Sequence, residues 1–384
     1  MNAPQVRGWC PGAWRPMQTG DGWLVRVRPP LGELTRAQAL ALCEASERFG
    51  SGLIELTNRA NVQLRGVSET TWPGLMAFLL DCGLVGREED ERSPPLMLAP
   101  TWRPGDDTHR AAQCLSARGQ EFPALPAKVG IAVDAGHAPV LTESPADVRI
   151  ERAKDGGLLV RAEGHASGTP VASPEAAVAL VIRLCRWFVA SGGREAGRMA
   201  RHPASLPDWA RPTVVPAPAG RILTLGNHPE GVAVGLALGR VQAGSLRALV
   251  TPLAHGTLRV TPWRRLLIQG AEPARLPTAP DVITQGDDPR LSIDACPGAP
   301  FCAQASVDTR SMAARLTHHK AVSLHVSGCA KGCARRRPAA VCLTGRDGRF
   351  DVLFDERADG DPAARGLTEP DVLDFLENSG ALHL

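Results

Sequence analysis

No tyrosine occurs among the 384 residues, and all but four of the 43 basic residues are arginines; the lysines are Lys128, Lys154, Lys320 and Lys331. The first absence removes phenol chemistry. The second leaves permanently charged guanidinium forks as the main cations. These suit a ligand carrying many carboxylates, although a GC-rich genome gives the same bias. Long apolar runs are missing too: the stretch 176–181 is soon followed by Arg183 and Arg186, which argues against a membrane span. Residues 1–16 hold no apolar core of the kind a secretory leader needs. A cytoplasmic protein is therefore expected, in a compartment where thiols stay reduced. A net charge of only +3 argues against nucleic acid as a partner. No Gly-x-Gly-x-x-Gly fingerprint supports direct dinucleotide binding.

Against these absences stand ten cysteines, four of them ordered in sequence. Cys296 and Cys302 form C-x5-C, and Cys329 and Cys333 form C-x3-C, with glycine or proline inside both loops. Such a set can close around one soft metal centre. An iron–sulfur cluster suits the spacing; zinc favours tighter knuckles, and unrelated cysteines are the third reading. The other six (Cys10, Cys43, Cys82, Cys114, Cys185 and Cys342) are scattered, as small buried apolar residues are. His318, His319 and His325 lie between the two pairs, but no carboxylate accompanies them at the spacing of a 2-His-1-carboxylate iron site. Surface or capping roles are the plainer reading for them.

Taken in order, residues 23–28 alternate as a strand with Arg26 and Arg28 on one face, and Thr35 caps a helix over 36–49. A strand over 53–56 leads into 57–66. There Arg59, Asn61, Gln63 and Arg65 alternate with apolar residues, so an extended chain points all four one way, as an anion-binding or merely solvated face. A helix is expected near 72–82. The proline-rich stretch 92–126 reads as a connector, followed by strands at 128–133, 148–150 and 158–162 and a helix over 175–190. After a linker at 203–218, residues 256–270 can be laid over 52–66 without gaps, matching both glycines and the threonine. This indicates an internal duplication. Further strands fall at 322–326, 340–343 and 350–354, with a closing helix at 370–378.

This order and these motifs resemble the sirohaem-dependent nitrite and sulfite reductase superfamily. The resemblance covers nearly the whole chain. It rests on the Arg26-x-Arg28 strand with its Pro-Pro turn, on Thr57-x-Arg59 with Gln63, and on Ser327-Gly328-Cys329 with the cysteine spacing. Within it the chain is similar to the precorrin-3B synthase family, through Arg7-Gly8-x-Cys10-Pro11-Gly12, residues 53–66, and Ser327 to Ala334. The implied fold is α+β. A half-unit over 1–100 pairs with another over 216–280 as ferredoxin-like halves, and two α/β units occupy 101–215 and 281–384, the second carrying the cysteines.

The resemblance also implies an activity. It is an O2- and NADH-dependent monooxygenase hydroxylating precorrin-3A at C20 with γ-lactone formation, in aerobic cobalamin synthesis. The implied cofactor is a [4Fe-4S] cluster on Cys296, Cys302, Cys329 and Cys333, with a non-haem iron associated with the family but no ligands to name here. A separate reductase is the expected electron donor. The implied substrate contacts are Arg26, Arg28, Arg59, Asn61, Gln63, Arg65, Lys128 and Lys331. Two departures stand out. The Lys-x-Lys pair of sulfite reductases is reduced to Lys128-Val129-Gly130, which disfavours sulfite reduction; a sirohaem-dependent nitrite or sulfite reductase is the alternative. Arg335-Arg336-Arg337 replaces a His-Pro pair expected after the last cysteine. A non-catalytic cluster-bearing electron carrier or tetrapyrrole carrier is the third class.

Overall fold

Alternation along Gly22–Val27 buries Val25 and Val27 and leaves Arg26 half-buried on the opposite face, so this segment pairs as a strand with one apolar side. Thr35 then starts the helix Arg36–Phe49. Its hydroxyl accepts from Gln38 N, and the Gln38 side chain accepts from Thr35 N, a complete capping box. The computed structural model describes residues 9–273, 276–317 and 323–380. Arg7 and Gly8 of the opening motif, His318, His319 and Val322 lie outside them.

Two antiparallel half-sheets share one apolar core. The first runs Met17–Thr19, Gly22–Val27, Val62–Val67, Leu53–Leu56 and Arg240–Gln242; the second runs Gly226–His228, Gly231–Leu236, Arg265–Ile268, Thr257–Val260 and Glu33–Thr35. Each half thus lends a short strand to the other. Arg240 pairs opposite Glu55, and Glu33 opposite Arg259, with Arg259 Nε donating to Glu33 at 2.7 Å. The helices Arg36–Phe49 and Ala243–Val250 that follow the lent strands pack together.

The duplication extends to backbone detail. Ala60 and Arg264, 204 positions apart like the rest of the overlay, both adopt left-handed φ (52° and 60°), as do Gly66 and Gly270 (71° and 73°). Leu31 and Leu238 repeat the same conformation (53° and 55°). A left-handed non-glycine residue costs about 1–2 kcal/mol, so its recurrence marks inherited geometry. In each copy a threonine hydroxyl closes the hairpin. Thr57 accepts from Arg59 N and Asn61 N, and Thr261 from Trp263 N and Arg265 N. This corrects the expectation of one extended face over 57–66. The strand begins at Val62, so Arg59 and Asn61 belong to the hairpin turn.

The two α/β sheets also match each other. In one, Leu96–Leu98, Ile131–Asp134 and Val148–Arg152 are parallel, followed by antiparallel Leu158–Ala162 and Thr169–Val171. In the other, Ile293–Ala295, Leu324–Ser327 and Ala339–Arg346 are parallel, followed by antiparallel Arg349–Glu356 and Ala364–Leu367. The stretch 92–126 is not a bare connector. It contains the strand Leu96–Leu98 and the helix Asp107–Ala117, whose Asp106 side chain accepts from His109 N. No helix among the described residues is long and apolar enough to cross a membrane.

Candidate functional site

Parallel pairing of Ile293–Ala295 with Leu324–Ser327 sends both chains out of the sheet at one end, and the cysteine loops begin there. The ends of parallel strands are where open α/β sheets place their sites. Cys296 is buried, and its Sγ accepts from Gly328 N at 3.1 Å. Thr309 Oγ1 donates to Cys296 O at 2.6 Å, and Cys302 N to Gly298 O at 2.8 Å, which folds the first loop back on itself. Gly298 has φ +69°, and a Cβ there would lie 2.4 Å from Thr309 Oγ1, so only glycine fits. Cys302 and Cys329 are half-buried, and Cys333 reaches solvent.

The four thiols sense one another. Burial raises the Cys333 thiol; Lys331 pulls it down, and charge on Cys296, Cys329 or Cys302 pushes it up again. Burial likewise raises Cys296, against the amide donors of Gly328 and Gly298. Among the described residues no three His, Cys, Asp or Glu side chains converge as ligands of a single ion. In donor chemistry, four soft thiolates on two neighbouring loops are what a four-iron cluster takes. Two buried donor-bearing atoms beside the loops, Arg310 Nη1 and His325 Nε2, also lack partners within the protein.

Phe301, next to Cys302, fastens the first loop to the first half-sheet. Its carbonyl accepts from Gly20 N at 3.1 Å and from Arg65 Nη2 at 3.1 Å. Arg65 also holds Asp21 at 2.6 Å and Glu55 at 3.2 Å, and the other oxygen of Glu55 takes Arg310. The Arg310 guanidinium lies over the Phe301 ring. Arg65, expected to reach a substrate carboxylate, is instead 1% exposed and spent on the protein's own carboxylates. A Cβ on Gly20 would stand 1.9 Å from Pro300 O. Gly20→Ala is therefore expected to push the loop off the sheet. It should cost about 1–3 kcal/mol and lower the iron content of the purified protein; unchanged iron and unchanged denaturant midpoint would show that the loop docks elsewhere.

On the same half-sheet, Arg26 lies opposite Gln63 and donates to its Oε1 at 2.6 and 3.2 Å. Burial holds the Arg26 guanidinium down to about 10; Cys10 opposes this, and the charges of Arg28 and Arg59 add to it. Arg28 Nε is buried without a partner. Arg59 Nη1 donates to Lys128 O at 2.9 Å, and Arg198 Nη1 donates to the same oxygen at 3.0 Å. Burial lowers Arg59 as well, followed by the charge of Arg198. Asp147, fully buried, holds the array from behind: it takes Gly130 N at 3.1 Å, Met199 N at 2.9 Å and Arg198 Nε at 3.0 Å. Desolvated like charges gathered around so few carboxylates destabilise a fold, and an anion relieves them.

Of the expected contacts, Arg26, Arg28 and Arg59 therefore come together, with Gln63 against Arg26. Asn61 is buried in the hairpin turn, and Lys128 is half-buried before the strand Ile131–Asp134. Lys331 sits in the second cysteine loop, near enough to act on Cys333. Sequence reasoning missed Arg198 and Asp147. Neither lies in a motif, and Arg198 meets Lys128 O from 70 positions away along the chain. Arg335 is likewise placed: it donates to Asp294 at 3.0 Å, tying the end of one cysteine loop to the strand that starts the other, while Arg336 and Arg337 are exposed.

Residues 15–82 match the nitrite/sulfite reductase ferredoxin-like half domain. The solved structure of the Mycobacterium tuberculosis NirA protein aligns with 92% of this chain and 79% of its own, at TM-score 0.62 and 20% identity. The chain thus has the duplicated nitrite/sulfite reductase fold. In sequence it is similar to a precorrin-3B synthase of Sinorhizobium sp, 29% identical over 405 residues that span 94% of this chain and 86% of the relative. A ferredoxin–nitrite reductase of Synechococcus elongatus is 26% identical over 420 residues, 91% of this chain and 81% of the relative. These relatives are enzymes, and the resemblance to precorrin-3B synthase expected from the motifs is borne out.

Proposed function

We propose that the chain is a precorrin-3B synthase of aerobic cobalamin biosynthesis, a cytoplasmic monooxygenase using O2, with NADH as the ultimate reductant. The observation that carries this reading is glycine at position 130, with Arg59 beside it. Sulfite reductases of this fold carry a Lys-x-Lys pair over the haem. Here that second position is Gly130; a Cβ on it would lie 3.3 Å from Pro95 O and in ordinary contact with Arg59 Nη1 at 3.5 Å, so the guanidinium of Arg59 occupies the space beside the missing lysine. Reduction of an oxyanion consumes protons at each step, and the second lysine is one of its donors. A macrocycle bearing acetate and propionate arms needs cations instead. Arg26, Arg28, Arg59 and Arg198 supply them around Lys128, with Gln63 and Asn61 orienting the arms, and Lys331 beside the cysteines.

Cys296, Cys302, Cys329 and Cys333 would hold a [4Fe-4S] cluster, which passes electrons one at a time. A separate reductase would deliver them; the non-haem iron associated with precorrin-3B synthases would supply the oxygen chemistry, and no ligand set for it is found among the described residues. The protein's own part is to bind the polycarboxylate, keep it oriented by fixed forks, and hold it beside the thiols. The similarity to ferredoxin–nitrite reductase supports a second reading, a sirohaem-dependent reductase.

Anaerobic purification, an absorption spectrum, and iron and sulfide analysis separate the two. A cluster without haem bands, together with O2-dependent turnover of precorrin-3A, is the expected result. Sirohaem bands would favour the reductase, and a cluster with no turnover would leave an electron or tetrapyrrole carrier. Arg59→Ala is expected to weaken tetrapyrrole binding about 10-fold or more, the loss of one charge-assisted contact, with cluster absorbance intact. Loss of that absorbance would instead make Arg59 a residue of the fold.

A further inference from the structure

Leu324 and Val326 face the apolar core with the helices, so His325 and Ser327 of the same strand face the other side, under the second cysteine loop. His325 is fully buried, between Asp294 and Cys342 on the neighbouring strands. Its Nδ1 lies 3.5 Å from Cys342 Sγ, and its Nε2 is buried without a hydrogen-bond partner. Cε1, bonded to Nε2, lies 3.6 Å from where a Cβ of Gly332 would stand. Gly332 is between Cys329 and Cys333 with φ +58°, a left-handed turn that favours glycine and lays the loop within van der Waals reach of the imidazole. The unpartnered nitrogen is thus beneath the loop that carries two of the four thiols.

The surrounding groups fix its proton. Burial holds the imidazole down to about 4, with Asp294 opposing and Arg335 assisting, so the ring is neutral. Burial pushes the Cys342 thiol up to about 11, so it keeps its hydrogen. Thr344 donates its own hydroxyl to Ala358 O at 3.0 Å, and the Cys342 S–H then has two acceptors, Thr344 Oγ1 at 3.8 Å and the closer His325 Nδ1 at 3.5 Å. A neutral ring accepting at Nδ1 carries its hydrogen on Nε2.

We infer that His325 is a positioning residue of the cysteine site: its Nε2–H donates to a cluster sulfur on the Cys329–Cys333 side and raises the cluster's reduction potential. This rests on reading the four cysteines as cluster ligands. A hydrogen bond to sulfur favours the more negative, reduced state, and such outer donors orient the ligands. Neither the Cys342 thiol nor the Asp294–Arg335 pair can replace it, since each already has its partner.

The test compares the wild-type holoprotein with His325→Phe and His325→Gln, purified anaerobically, with iron and sulfide counted first. The potential is read by an EPR-monitored redox titration, and pulsed EPR after transfer to D2O reads exchangeable deuterons at the reduced cluster. His325→Phe is expected to shift the potential downward and lose one deuteron coupling; His325→Gln, which keeps an N–H at similar reach, should recover part of both. Equal potentials and unchanged couplings in all three proteins overturn the inference. Loss of iron from both variants overturns it too, because His325 would then serve only the fold. A wild-type protein lacking iron and sulfide refutes the cluster reading itself, a failure that the metal count shows before any variant is made.

Discussion

Cys333→Ser is expected to yield a folded chain without iron, without acid-labile sulfide and without turnover. The Cys333 side chain is open to solvent even though neighbouring atoms crowd its sulfur enough to raise the thiol, so exchanging sulfur for oxygen removes little packing. The stability of the apoprotein should stay within about 0.5 kcal/mol of wild type, as for ordinary surface substitutions. The ligand set is far less tolerant. A serine oxygen is a hard donor with a high pKa and is a poor match for a centre selected by soft thiolates. Loss of even an outer partner typically costs 10–100-fold in metal affinity, and loss of a ligand should cost more. Iron and sulfide should fall from about four of each per chain, the content of one cubane, to background. Activity should drop by more than about 100-fold. Cys302→Ser should do the same. A Cys333→Ser protein with full iron, sulfide and turnover would leave only three cysteines as ligands and sink the assignment.

Arg65→Met is the second large effect, and it is one of stability. The guanidinium is buried between Asp21 and Glu55 and also donates to Phe301 O. Its removal leaves Asp21 without its cation, leaves Glu55 to Arg310 alone, and takes one donor from a main-chain carbonyl. Breaking a buried pair by deleting one partner costs about 3–5 kcal/mol. Chemical denaturation of the two proteins measures it, and a loss under about 1 kcal/mol would mean that the network is solvated. The pH dependence gives an independent check. Burial alone would raise the Asp21 carboxyl, but Arg65 and Thr19 outweigh it and hold it below its usual range. Asp21 therefore contributes stability above the unfolded value of about 4, lost as pH falls through its lower folded value. That acid-side loss should be smaller in Arg65→Met. Arg59→Ala, whose guanidinium sits on Lys128 O and away from Asp21, should show neither effect.

The two arginines explain what the sequence could disclose. Period-two alternation groups Arg59 and Arg65 on one face of an imagined strand. The Thr57 hydroxyl instead turns the chain at Ala60, so the two guanidinia serve different ends of the molecule. Which face of a strand meets water, and which meets another unit, depends on partners such as Phe301, more than 230 positions away. The cysteine loops were legible because ligand geometry constrains short spacings. The duplication was legible because its hairpin repeats without a gap. The helix Asp107–Ala117 was not, since its buried face is built from Thr108, Ala111, Ala112 and Leu115, three of them too small to give a strong apolar period.

The exchanged strands bear on how the two halves recognise each other. Position 33 of the first half corresponds to 240 of the second, and 55 to 259. In the chain, Glu33 meets Arg259 and Arg240 meets Glu55, acid against base at both junctions. Two copies of the first half would set Glu33 against Glu55, and two copies of the second would set Arg240 against Arg259. Like charges directly opposite on paired strands repel. Each half therefore prefers the other to a copy of itself, by about 0.2–1 kcal/mol at each junction, so the chain carries in its own strand edges a bias against the symmetric pairing that the duplication implies.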